Sequence, residues 1–141
     1  MAVFNVTQAI SSSMMTILLN AVDSDAAAGY IEFYTGDIPA KPETAPGGGN
    51  TKLGTCTCSV TSGAVASGVY TFSAITADSG ADADGTAAWV RVRDGAGAAC
   101  FDADVSVTGG SGTVQMPTTS ITSGGPIAFN SFTIKMSPGT W

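Results

Sequence analysis

The residues whose spacing comes nearest to chemistry are Asp78, Asp82 and Asp84, followed by Gly85. Several carboxylates on one tight turn are the hard oxygen ligands that Ca2+ takes, and Asp82-Ala83-Asp84-Gly85 has the form of the middle of an EF-hand loop. The frame fails, however. Its first position would be Gly80 and its twelfth Arg91, which cannot ligate a cation. The expected role is a solvated acidic turn. Gly47-Gly48-Gly49-Asn50-Thr51-Lys52 hints at a phosphate cradle, but Asn50-Thr51 separate glycine from lysine, and a strand rather than a helix should follow. Histidine is absent, so the commonest general base and the commonest metal ligand are both missing. Only Lys41, Lys52, Lys135 or a carboxylate could activate a serine or cysteine, and no Ser-x-x-Lys motif occurs. Among 11 acidic residues nothing selects an opposed glycosidase pair. The expectation is a protein that is not an enzyme, with no catalytic residue, no cofactor and no metal.

Cys56, Cys58 and Cys100 are an odd set, which fits free thiols acting as small buried hydrophobes. Cys56 and Cys58 should lie on one face of a strand, a strained spacing for a mutual disulfide. A zinc site would need a fourth ligand, and there is no histidine to supply it.

The elements that must position these residues can be read from periodicity. Ser11-Ser12-Ser13 offers N-cap hydroxyls, and Met14, Leu18 and Val22, with Met15 and Leu19, recur at helical spacing. This predicts one helix over 11–27, stopped by Gly29. From Tyr30 the period becomes two, and strands are expected near 30–35, 51–59, 68–76, 86–94, 99–107, 112–116 and 126–136. Pro39, Pro42, Pro46 and the Gly47–Gly49 triplet mark a long exposed loop. In Ala88 to Arg93 the valines take one face while Trp89, Arg91 and Arg93 take the other. A hairpin about Asp94-Gly95 would bring both arginines near Asp102 and Asp104, a face of cross-strand ion pairs. Ile127 and Phe129 share one phase, and Phe132, Ile134 and Met136 share the other, so a bulge or bend is expected at Asn130-Ser131.

Seven or eight short strands with glycine-rich turns indicate an all-β, jelly-roll-like β-sandwich with one N-terminal helix. An immunoglobulin-like sandwich is the alternative, but Trp89 lies too near Cys100 for that pattern. The expected organisation is an N-terminal arm at 1–10, one domain over 11–136 that includes the helix, and a C-terminal tail at 137–141. With 141 residues, a real core is possible without disulfides or metals. A net charge of −6 speaks against nucleic acid as a partner. The apolar run Met14 to Leu19 is too short to span a membrane, and no secretory signal is visible at the N-terminus.

Tyr30-Ile-Glu-Phe-Tyr-Thr-Gly-Asp-Ile-Pro-Ala-Lys-Pro42 resembles the opening of a group of small tailed-bacteriophage virion proteins. Ala74-Ile-Thr-Ala-Asp78, Asp84-Gly-Thr-Ala-Ala-Trp89-Val-Arg-Val, Ser120-Ile-Thr-Ser-Gly-Gly-Pro126-Ile and Ser131-Phe-Thr-Ile are similar to later segments of the same group. The likeness covers roughly residues 12–136 and is strongest to a head decoration, or cement, protein of a short-tailed phage with a jelly-roll fold. It implies no catalytic residues.

On that reading the protein binds the outside of an assembled phage capsid and stabilises it by bridging subunits. Its partners would be the major capsid protein and further copies of itself, as a dimer or trimer, with no nucleic acid and no membrane. It would be made in the host cytoplasm and carried on the outer surface of the virion. The expected capsid or oligomer contacts are Phe4, Val6, Met14, Pro39, Pro42, Pro138 and Trp141, drawn from the arm, the helix, the proline loop and the tail. The competing reading is a tail or fibre component or a carbohydrate-binding module, with Tyr30, Tyr34 and Tyr70 as sugar platforms.

Overall fold

The computed structural model describes residues 5–129 and 132–135. Within them the chain is β-rich with one helix. The order is α1 (Gln8–Val22), β1 (Tyr30–Tyr34), β2 (Lys52–Thr57), β3 (Gly63–Ala66), β4 (Val69–Phe72), β5 (Gly85–Thr86), β6 (Trp89–Arg93), β7 (Ala99–Val107), β8 (Val114–Met116), β9 (Ser120–Ile121) and β10 (Thr133–Lys135).

The helix is shifted from its expected span. Thr7, not the serine triplet, is the N-cap, and its hydroxyl accepts from the Ile10 amide at 3.3 Å. Residues 8–10, expected in an arm, are therefore helical. The serines act elsewhere. Ser12 Oγ accepts from the Gly68 amide at 2.9 Å, and Ser13 Oγ donates back to the Ala9 carbonyl. The helix ends at Val22 with Asp23 as its C-cap: the Asp23 amide donates to the Leu19 carbonyl, and its carboxylate accepts from the Ser62 amide. The stop at Gly29 comes too late. Ser11, Met15 and Val22 are buried, with Met14, Leu18 and Leu19 flanking them.

Five strands form a mixed sheet in the order β2-β1-β6-β7-β8. The first four are antiparallel neighbours, and β8 runs parallel to β7. That parallel pair departs from the all-antiparallel layout of a jelly roll. Parallel neighbours ordinarily need a long crossover. Here only residues 108–113 join them, and a side chain at Gly112 would meet the Ser106 amide nitrogen and the Val105 carbonyl carbon under 3 Å away. Only glycine lets the return run so close to the strand it leaves.

A second sheet has the order β10-β4-β3, and β5 pairs with β9. Strand β3 falls between the spans expected at 51–59 and 68–76, where Ser62-Gly63 has the composition of a turn. The turn is instead Ser67-Gly68, where both residues have positive φ (53° and 75°), as a two-residue hairpin of this twist demands. The expected strand at 126–136 is reduced to a bridge between Ile127 and Asp78 and to β10. The bend expected at Asn130-Ser131 lies outside the described residues.

One core joins the sheets. Ile31 and Phe33 of β1, and Val90 and Val92 of β6, share the inner face of the five-stranded sheet, and all four are fully buried. Phe33 meets Phe129 edge-on at 5.7 Å, and Phe129 meets Phe132 at 5.5 Å. Phe132 stacks on Phe72 at 4.1 Å, and Phe72 on Tyr70 at 4.4 Å. This chain of rings carries the packing from the large sheet to the small one. The helix lies against β3 and β4. Phe33→Ala is expected to lower stability by about 3–5 kcal/mol in urea unfolding, while Val60→Ala, at a well-exposed position, should stay within about 0.5 kcal/mol.

Candidate functional site

Polar chemistry concentrates on the outer face of the five-stranded sheet. Strand alternation sends Tyr30, Glu32 and Tyr34 of β1 outward, together with Trp89, Arg91 and Arg93 of β6 and Asp102 and Asp104 of β7. The register sets Glu32 beside Arg91 and Arg91 beside Asp102, with Tyr34, Trp89 and Asp104 in the next row.

Arg91 is the centre of this face, and it is only 1% exposed. Its Nε and Nη2 donate to the two Asp102 carboxylate oxygens at 2.8 Å each, a fork-to-fork pair. Its Nη1 donates to the Thr44 carbonyl at 2.9 Å. The guanidinium also lies 5.4 Å from the centre of the Trp89 ring. Tyr34 stacks on the same ring at 4.6 Å, and the indole Nε1 donates to the Thr35 carbonyl. The expected pairing of Arg91 with Asp102 is present, but it is a buried clamp rather than a surface pair.

The second expected pair is replaced. Pairing Arg91 with Asp102 sets Asp104 opposite Trp89 and carries Arg93 toward the turn, opposite Ala99 past a bulge at Val92, where its Nε donates to Glu32 of β1 at 2.6 Å. Its Nη1 takes the Gly97 carbonyl. Glu32 also accepts from the Tyr34 hydroxyl at 3.0 Å, and Lys52 Nζ lies 3.6 Å from its other oxygen. Asp104, freed from arginine, accepts from the Thr113 amide at 2.9 Å.

The proline-rich loop covers this face. Asn50 Nδ2 donates to the carbonyls of Thr35 and Asp37, and Thr35 and Thr51 bond to each other across the loop's base. With the Arg91 to Thr44 bond, residues 36–50 are held at both ends and in the middle. The loop is exposed over most of its length, as expected, and it is also fastened to the sheet. Pro42 and Pro46 wall a shallow cleft over Arg91 and Arg93.

The electrostatics follow from these partners. Hydrogen bonding to Asp102 raises the Arg91 pKa, against burial. Burial works to lower that of Arg93, and Glu32 outweighs it, so the net direction is upward. Burial and then Glu32 raise that of Tyr34. Each of these groups is locked in its ordinary charge state and engaged by a neighbour. The thiols are equally quiet. Burial pushes Cys58 up to about 12 and raises Cys56 and Cys100. All three cysteines are free, with Cys56 and Cys58 buried. The face works as a mechanical clamp that fastens a loop to a sheet.

The chain matches no family model, no curated protein and no solved structure.

The acidic turn is likewise occupied by backbone. Asp78 accepts from the amides of Thr55 and Gly80, and Asp84 accepts from the amide of Ser123. Among the described residues no three metal-ligating side chains converge.

Of the expected contact residues, Phe4, Pro138 and Trp141 lie outside the described residues. Val6 is half-buried just before the helix cap, and Met14 is half-buried on the helix. Pro39 and Pro42 are half-buried in the clamped loop. The set therefore divides between the helix and the loop. The tyrosine platform is corrected as well. Tyr70 is fully buried, Tyr34 is 6% exposed beneath the loop, and Tyr30 is half-buried. Sequence reasoning passed over the outer stripe of α1. Ile10 and Ile17 are 50% and 68% exposed and bracket Met14 on one face. The spacing Ile10, Met14, Ile17, Ala21 was the available signal.

Two outcomes follow. Asp102→Asn should lower stability by about 3–5 kcal/mol, because Arg91 stays buried and charged. The paired change Arg91→Met with Asp102→Leu should recover most of that loss in the same denaturation experiment.

The second concerns pH. Burial works to raise the Asp94 carboxyl, but the Ala98 and Ala96 amides and the Ser24 hydroxyl outweigh it and hold it below the usual carboxylate range. Hydrogen bonds from Thr113 do the same for Asp104. Both groups bind protons less readily when folded, so their contribution is full above the unfolded carboxylate pKa of about 4 and is lost as pH falls through the folded value. The urea midpoint should drop below about pH 4, and the double variant Asp94→Asn with Asp104→Asn should show a flatter profile there.

Proposed function

We propose that this protein is a virion structural protein, a cement or decoration protein that binds the outside of an assembled phage capsid and bridges its subunits. The observation that carries the reading is the exposed pair Ile10 and Ile17, with half-buried Met14 between them, on the helix of a body in which, among the described residues, every buried side-chain polar atom has a partner. A stiff body with an adhesive helix face is what a lattice-bridging part requires. The segments quoted above that resemble small phage virion proteins support the same reading. The jelly-roll-like sandwich belongs to this proposal, with the five-stranded and three-stranded sheets as its two layers and β8 as a departure from the type.

Such a protein acts by mass action. It binds the assembled lattice and not the free subunits, which stabilises the shell by about 2.7 kcal/mol per site when its free concentration is 100 times Kd. No catalytic step is needed. The major capsid protein and further copies of this chain are the proposed partners, on the outer surface of a virion. The net charge of −6 suits a basic patch on the shell. The sugar-binding alternative is not favoured, because Tyr34 and Tyr70 are buried.

Heads made without this protein should assemble but rupture at a lower temperature, and adding the purified protein back should restore the survival curve. Ile10→Lys with Ile17→Lys should fold normally and fail to restore it. Equal heat survival with and without the protein would refute the proposal, and a copy number of about a dozen or fewer per particle would move it to the tail.

A further inference from the structure

The five-stranded sheet ends on an incomplete edge. Strand β8 pairs only with Val105–Val107, so among the described residues the first part of β7, residues 99–104, has β6 on one side and no strand on the other. The Val105 amide donates to Ala88 next to β6. Alternation therefore turns the Asp102 backbone N–H and C=O toward the open side.

The core is also thinly covered there. Phe101 points to the same face as the fully buried Val92, yet it is only half-buried. Leu18 of the helix and Ile134 of β10 are half-buried beside it. With Ile38 and Thr113 they line a groove of about 410 Å3 along this edge. Asp104 stands at its rim, exposed and ionised, and the Arg91 clamp neutralises Asp102.

We propose that this edge takes up an extended segment of a partner protein, which adds as a strand beside β7, puts apolar side chains into the groove and sets a lysine or arginine against Asp104. Main-chain hydrogen bonds would supply the affinity, and alternate side chains the selectivity. The charge pattern chooses the occupant. A second copy would add another chain of the same −6 net charge, whereas a basic segment meets a complementary rim at Asp104. The open part of β7, residues 99–104, accommodates about six residues at roughly 3.3 Å each. This site shares the helix with the Ile10 and Ile17 stripe but uses Leu18 in their place, and it stands whether or not the partner is a capsid.

The test uses the full chain and a fluorescein-labelled peptide, Gly-Lys-Val-Lys-Val-Lys-Val-Gly, followed by anisotropy at low salt. Saturable one-to-one binding is expected, with slowed amide hydrogen exchange confined to 99–104. Asp104→Lys should weaken binding about tenfold or more, and Val60→Ser should leave it unchanged. If Asp104→Lys unfolds the chain, Ile38→Asp, on an exposed loop position of the groove, serves as the second variant and should weaken binding to a similar degree. Any of four results would overturn the proposal: no binding at millimolar peptide, equal binding of the Glu-for-Lys peptide, protection elsewhere in the chain, or dimerisation through this edge in sedimentation. A chain ending at Lys135 that binds the peptide much more tightly would overturn it too, because the edge would then belong to the protein's own C-terminal residues.

Discussion

A guanidinium removed from water must find acceptors for its donors, and this requirement at Arg91 organises the outer half of the molecule. Two donors take Asp102 and a third takes the Thr44 carbonyl. Satisfying the first fixes the register of β6 against β7, because a slip by one residue would put Asp102 on the opposite face. Satisfying the second closes the 36–50 loop over Trp89 and Tyr34. An ion pair of this kind adds little net stability over an apolar substitute, since dehydrating both charges costs nearly what their attraction returns. Its effect is on uniqueness, because arrangements that leave Arg91 unpaired are penalised heavily.

The acidic composition has a structural explanation. Asp23, Asp25, Asp78, Asp84, Asp94 and Asp104 each accept a hydrogen bond from a backbone amide in a turn or loop. A chain with short strands and many connections has many amides outside ladders, and an aspartate is well shaped to satisfy them. Three of the five cationic residues, Lys52, Arg91 and Arg93, are meanwhile engaged on the outer sheet face. The charge imbalance is thus a consequence of how turns are stapled, and it leaves the exterior acidic.

Legibility in the sequence follows the range of the interaction. The single helix, the strands at β1, β6 and β7, and the hairpin about Asp94 were readable, because alternation and Asp-Gly chemistry act within a few residues. The Arg91 to Asp102 pair was readable for the same reason, being two strands joined by one turn. Arg93 does not meet Asp104, because an antiparallel pair that joins Arg91 to Asp102 sets Asp104 opposite Trp89, and Glu32 reaches Arg93 from a strand 61 positions away in sequence. Strand β3 was hidden because Gly63 reads as a turn residue, while the pressure of Tyr70 and Thr71 against it requires a residue without a side chain. The helix start was misplaced because three serines imitate a cap, although one of them is used to hold the β3–β4 turn. The clamped loop was invisible, since prolines and glycines announce a loop but not what it rests on.

These three features together decide how the surface can associate. With most cations engaged internally, long-range forces between copies are repulsive, and they weaken as salt screens them over about 10 Å at 0.1 M. Apolar burial does not weaken in that way. The exposed isoleucines of α1 and the half-covered groove beside β7 are therefore surfaces where contact is favourable at short range and opposed, between like copies, at long range. A basic partner meets no such opposition. In the proposed role the acidic exterior steers a basic partner before contact and the apolar patches hold it afterwards, while contact with a further copy of the chain must draw on apolar burial alone.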